Sequence, residues 1–143
     1  MAARTVKRVV AGLLGTAIAT LAAATPANAA YSYEWDNGVA VGGLGSEQSY
    51  CVTTKYSEVC IQPYGDRIFV MDLSSADSAS AVARWFTSYG RWGTCRNSLG
   101  AGHWAVCNKD FKEGYWLTAR ATQYDGDTQD WKGPESGDLN VLM

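Results

Sequence analysis

Four cysteines, one histidine and a few closely spaced carboxylates are the residues of this chain that could do chemistry. A catalytic serine or cysteine usually needs a histidine base that a carboxylate holds in place. His103 is the only histidine, it follows the Gly100-Ala101-Gly102 turn, and no serine sits in a G-x-S-x-G frame. It reads as an exposed loop residue. Neither cysteine pair has the C-x₂₋₄-C spacing of a zinc site, and an even count favours complete oxidation, which removes the thiol nucleophile. Asp110 and Glu113 could be the two carboxyls of a glycoside hydrolase. That chemistry needs them roughly 5 to 9 Å apart across a cleft, and three-residue spacing in a polar loop reads as a solvated turn. Asp125, Asp127 and Asp130 offer oxygen ligands at loop spacing but lack the glycine and glutamate of an EF-hand. No catalytic apparatus, cofactor or metal is therefore expected.

The aromatic residues point to binding instead. Six Trp, eight Tyr and three Phe all lie after residue 29. Phe69, Phe86 and Trp116 fall in apolar strand patterns and are expected in the core. Trp35, Tyr56, Tyr64, Tyr89, Trp92, Trp104 and Trp131 lie near polar or glycine-rich segments. An exposed ring can stack on the C–H face of a sugar or anchor a protein interface.

The elements that must position these residues are strands. Cys51 to Cys60 folds about Lys55–Tyr56, and Cys95 to Cys107 folds about Gly100-Ala101-Gly102, where glycine supplies the positive φ of a tight turn. Four cysteines allow three connectivities; this register puts Cys51 opposite Cys60 and Cys95 opposite Cys107. It also puts Trp104 opposite Ser98 near the tip of the second hairpin, and Trp92 opposite Asp110 at its far end. Arg67–Leu73 is apolar on both parities and reads as a central strand. Ala79–Thr87 fits both periods and is read as a strand, and Tyr115–Thr122 is another. Beyond Asp127 the chain reads as turn and tail.

The first 29 residues carry an export signature. Arg4, Lys7 and Arg8 precede an uncharged run from Val9 to Ala24, and Ala27-Asn28-Ala29 ends it in an A-x-A site. The run has 16 residues, short of the roughly 20 that cross a bilayer. Cleavage after Ala29 leaves 114 residues with nine basic and 14 acidic side chains, a net charge of −5. Such a chain is a poor partner for nucleic acid, whose affinity rests on released counterions, and it has no membrane contact once the leader is gone. The expected organisation is a signal peptide over 1–29, a Gly-rich segment over 30–49, a β-domain over 50–124 and an acidic segment over 125–143.

The run Tyr64-Gly65-Asp66, Val70-Met71-Asp72, Arg91-Trp92-Gly93-Thr94-Cys95-Arg96-Asn97, Gly100-Ala101-Gly102-His103-Trp104 and Cys107 to Gly114 resembles a group of small exported proteins of actinomycetes. The resemblance covers roughly residues 50–122. It implies a compact exported β-domain with two disulfides and carries over no catalytic residue. The sequence thus describes a secreted, monomeric, all-β domain: a small antiparallel sandwich or barrel with two bridged hairpins. Its expected function is non-enzymatic binding of an extracellular protein, such as a hydrolase, or of a glycan. Trp104, His103, Trp92, Tyr89 and Arg91 are the candidate contacts, with Trp104 as anchor. A small carboxylate-dependent hydrolase and a structural envelope protein are the alternatives.

Overall fold

Alternation of side chains along extended segments decides the architecture, because successive residues of a strand face opposite ways. The structure, a computed structural model, describes residues 30–75 and 77–143; the export leader expected over residues 1–29 lies outside them. The described residues form eleven strands in two facing sheets: β1 (Glu34–Asn37), β2 (Val39–Val41), β3 (Tyr50–Thr53), β4 (Ser57–Gln62), β5 (Arg67–Asp72), β6 (Ala79–Thr87), β7 (Trp92–Asn97), β8 (Trp104–Asn108), β9 (Trp116–Asp125), β10 (Asp130–Lys132) and β11 (Leu139–Leu142). One sheet runs β1-β7-β6-β9-β10, with β11 also paired to β9; the other runs β2-β8-β5-β4-β3. All pairings are antiparallel except that of β1 with β7.

The core lies between the sheets. Val59, Ile61, Ile68 and Val70 of the five-stranded sheet meet Ala81, Ala83, Trp85, Leu117, Ala119 and Ala121 of the six-stranded one. The alanines on β6 and β9 leave room for the branched chains opposite. Trp85 is 2% exposed and meets Phe111 edge-on at 5.2 Å between ring centroids. β5 is the middle strand of its sheet and is buried on both sides, as its pattern implied. Phe69 is 1% exposed because Cys60 pairs beside it and Trp104 and Arg67 lie over its ring.

Both disulfides pair as the spacing implied, Cys51–Cys60 and Cys95–Cys107, which is consistent with an oxidising environment. The first joins directly opposed residues of β3 and β4. The second is not a rung of a hairpin. β7 pairs with β1 and β6, whereas β8 pairs with β2 and β5. The Gly100–Gly102 turn therefore carries the chain from one sheet to the other, and Cys95–Cys107 pins the two sheets together through the core. The mirror register consequently fails: Trp104 stands opposite Met71 and Val41, not Ser98, and Trp92 stands opposite Phe86, not Asp110.

Two further expectations change. The segment after Asp127 contributes β10 and β11, which pair with opposite halves of the ten-residue β9, and Val141 and Met143 are buried. Phe86 and Trp116 lie on the outer side of their sheet and are 44% and 52% exposed. The N-terminal segment also switches sheets, from β1 to β2. Gly38 makes that crossing, and a Cβ there would stand 2.8 Å from the Ala105 Cβ.

Candidate functional site

The outer face of the six-stranded sheet is built from aromatic rings and arginines. Register places Trp35, Thr94, Arg84 and Arg120 in one row across β1, β7, β6 and β9. The neighbouring row holds Trp92 and Phe86. At the other end Tyr124 pairs with Trp131 of β10. Val82 and Thr94 point to this outer side yet are fully buried. The rings and arginine stems above them form a second apolar layer, with the guanidinium groups at its surface.

The rings touch in sequence. Trp92 meets Tyr33 at 4.7 Å, Tyr33 meets Trp35 at 6.3 Å, Trp35 meets Trp131 at 6.2 Å and Tyr124 at 4.8 Å, all tilted or edge-on. They border an open cleft of about 500 Å³ over Arg84. A deeper recess of about 130 Å³ beside it reaches Phe86, Arg120 and Glu135. Trp35, Trp92 and Trp131 are 38%, 48% and 44% exposed, so each offers roughly half its surface to a ligand. The Arg84 guanidinium lies 5.0 Å from the Trp131 ring, a cation–π distance.

Glu135 organises the charges. Arg84 donates to its Oε2 at 2.8 Å and Arg120 to its Oε1 at 2.9 Å; Arg120 also donates to Asp138. Burial pushes the Glu135 carboxyl up, but hydrogen bonds and charge from Arg120 and Arg84 outweigh it and hold the group below its ordinary range.

The reverse side of β1 fixes the aromatic wall in place. Glu34 and Asp36 alternate with Trp35 and turn the other way. Arg91 and Lys109 both donate to Glu34, at 3.0 and 2.8 Å, and Lys109 also donates to Asp36. The Lys109 side chain is only 5% exposed and its ammonium lies 4.9 Å from the Trp85 ring. The hydrogen bond from Arg91 lowers the Glu34 pKa, against the opposing effect of burial, with Lys109 adding to the decrease. Gly93 lets β1 come this close to β7, since a Cβ there would stand 2.4 Å from the Glu34 carbonyl oxygen.

The five candidate contacts do not form one surface. Trp92 lines the cleft. Tyr89 lies in the β6–β7 turn, edge-on to Tyr31 at 5.8 Å and to Tyr115 at 5.1 Å, beside Asp110 and Lys112 and outside the cleft. Arg91 is committed to Glu34 and to the Asp110 carbonyl. Trp104 and the exposed His103 belong to the five-stranded side, and Trp104 leans edge-on against Phe69 at 6.4 Å. Tyr33, Tyr124, Arg84, Arg120 and Glu135 were not among the candidates. One signal was available: Tyr33 and Trp35 fall two apart, as residues on one side of an extended segment do.

None of the remaining chemical candidates lines the cleft or its recess. Asp125 accepts the backbone N–H groups of Asp127 and Thr128 and so shapes the β9–β10 turn. Asp110 borders the tyrosine corner at Tyr31 and Tyr89, away from Glu135. The group of metal-ligand types found close together among the described residues is Cys51, Glu58 and Cys60, and its thiols are consumed in the disulfide. Comparison with protein-family models, curated proteins and solved structures finds no match, so the site is read from its own geometry.

Proposed function

We propose that this protein is an exported, non-enzymatic binding module that takes a glycan on the outer face of its six-stranded sheet. The observation that carries the reading is the run of half-exposed rings, Trp92, Tyr33, Trp35 and Trp131, around the polar floor at Arg84. A soluble domain rarely leaves so much contiguous apolar surface without a use. Tilted rings with guanidinium and carboxylate groups between them suit a ligand with alternating C–H faces and hydroxyls. A flat protein partner would prefer a fully apolar centre with its charges at the rim. Export and kinship with the small actinomycete proteins belong to this proposal; the bridged cysteines and the leader-like residues 1–29 support them.

Glu135, the carboxylate of the recess in this cleft, does not suit the acid of a glycosidase. A glycosidase acid must keep its proton near neutral pH, so its pKa must be raised. Glu135 is shifted the other way by two arginines. The test is cosedimentation of the protein with a panel of insoluble polysaccharides, comparing the natural chain with Trp35→Ala, Trp92→Ala and Trp104→Ala. Binding that Trp35→Ala or Trp92→Ala abolishes and Trp104→Ala leaves intact supports the reading. Loss confined to Trp104→Ala would move the site to the other sheet.

A further inference from the structure

We infer that the ligand is an uncharged polysaccharide chain, laid along the ladder of rings Trp92, Tyr33, Trp35 and Trp131; this deepens the binding reading and rests on it. Successive rings touch at 4.7, 6.3 and 6.2 Å between centroids, so the ladder is longer than one sugar. Tyr124 stands beside Trp35 at 4.8 Å and widens that rung. A single sugar covers one rung, whereas a chain covers several.

The charge of the floor selects the class of chain. Arg84 and Arg120 are the cations there, and Glu135 and Asp138 already face them. The floor is neutral as it stands. A uronate or sulfate group entering between the rings would meet arginines whose charge Glu135 and Asp138 already balance and would lie near those carboxylates, a like-charge contact that costs affinity. What the floor still offers is polar and uncommitted. Arg84 spends one N–H on Glu135 and keeps the rest of its five donors, and the Glu135 oxygens retain lone pairs. Donors and acceptors side by side match hydroxyl groups, which are both. The ring faces match the C–H faces of the same sugars.

The experiment is affinity electrophoresis of the natural protein in gels containing soluble polysaccharides. The uncharged arm holds glucan, mannan, galactan and xylan; the anionic arm holds polygalacturonate, alginate and hyaluronate. Each gel is run at low and at high salt. The inference expects retardation by at least one uncharged polymer, changing by less than about twofold with salt, because few counterions are released. It also expects a hexasaccharide of that polymer to compete at least about tenfold better than the disaccharide, since it spans more rungs. Glu135→Gln leaves Arg84 without a charged partner while Arg120 keeps Asp138, and this variant should gain a salt-sensitive retardation by the anionic polymers that the natural protein lacks. Retardation of the natural protein by anionic chains alone, fading with salt, would overturn the uncharged ligand while leaving the binding face standing. Equal competition by disaccharide and hexasaccharide would overturn the ladder. Retardation by no polysaccharide, with a second protein bound instead, would overturn the inference together with the glycan reading.

Discussion

Trp35→Ala separates the binding role of the aromatic wall from its structural role, because the structure sets a magnitude for each. Trp35 is 38% exposed, so it buries about three-fifths of its surface. A tryptophan has up to about 250 Å² to bury. The loss is then about 150 Å² of largely apolar contact, worth about 4 kcal/mol at about 25 cal/mol/Å². Tyr33, Tyr124 and Trp131 can partly close over the gap, so about 3 kcal/mol is the expected cost. For a domain of this size that lowers the melting temperature by about 12 °C, leaving a folded protein at 10 °C. Binding to the polysaccharide identified in the panel, measured calorimetrically at 10 °C, should weaken by at least about 30-fold, the loss expected for a central aromatic anchor. Trp104→Ala is the control: it uncovers Phe69 and should destabilise by a similar amount without weakening binding. A folded Trp35→Ala that binds like the natural protein would refute the reasoning about the site. A melting temperature that does not move would refute the packing of the ring.

The two disulfides should behave differently. Loops of this size restrict the unfolded chain by about 3 kcal/mol in either case, but Cys95→Ala with Cys107→Ala also removes core contacts between the sheets. Guanidinium titrations should place that double variant below Cys51→Ala with Cys60→Ala, and alkylation under mild reduction should label the exposed Cys51 first. Acid should weaken the fold through Glu34 and Glu135. Their folded pKa values lie below the ordinary 4.5, so the stability they contribute is present above about pH 4.5 and is lost as pH falls through the lowered values. Melting curves from pH 7 to pH 3 should fall less steeply for Glu34→Gln, which starts lower because Arg91 and Lys109 lose a charged acceptor. Gly93→Ala forces β1 away from β7; it should cost about 1–3 kcal/mol and should weaken binding as well, because the ladder moves with β1.

What the sequence made legible followed from short-range rules. Cysteine spacing yielded both pairings, apolar parity identified β5 as a central strand, and β-branched and aromatic residues marked β9. The sheet assignment of β7 and β8 was not legible. A glycine turn between two short strands looks the same whether they share a ladder or part into facing sheets, and the choice is made by β1, β2, β5 and β6, all distant in sequence. The site was half hidden for a related reason. Glu34 and Asp36 sit in the Gly-rich segment 30–49, whose composition hides β1. Their inward orientation makes sense only with Arg91 and Lys109, 57 and 75 residues away from Glu34. Phe86 and Trp116 were misplaced because apolar residues fall on both faces of β6 and β9, where parity carries no information about which side is the core. β10 and β11 are three and four residues long, in an acidic segment whose buried apolar anchors are only Val141 and Met143.

The six tryptophans offer the most direct test of the binding face, since each gives one indole N–H resonance. Titrating a labelled sample with the hexasaccharide of the bound polymer should shift the indole signals of Trp35, Trp92 and Trp131, assigned by single substitution. The signals of Trp85 in the core and Trp104 on the opposite sheet should stay in place. A shift centred on Trp104, with Trp35, Trp92 and Trp131 unmoved, would contradict the site.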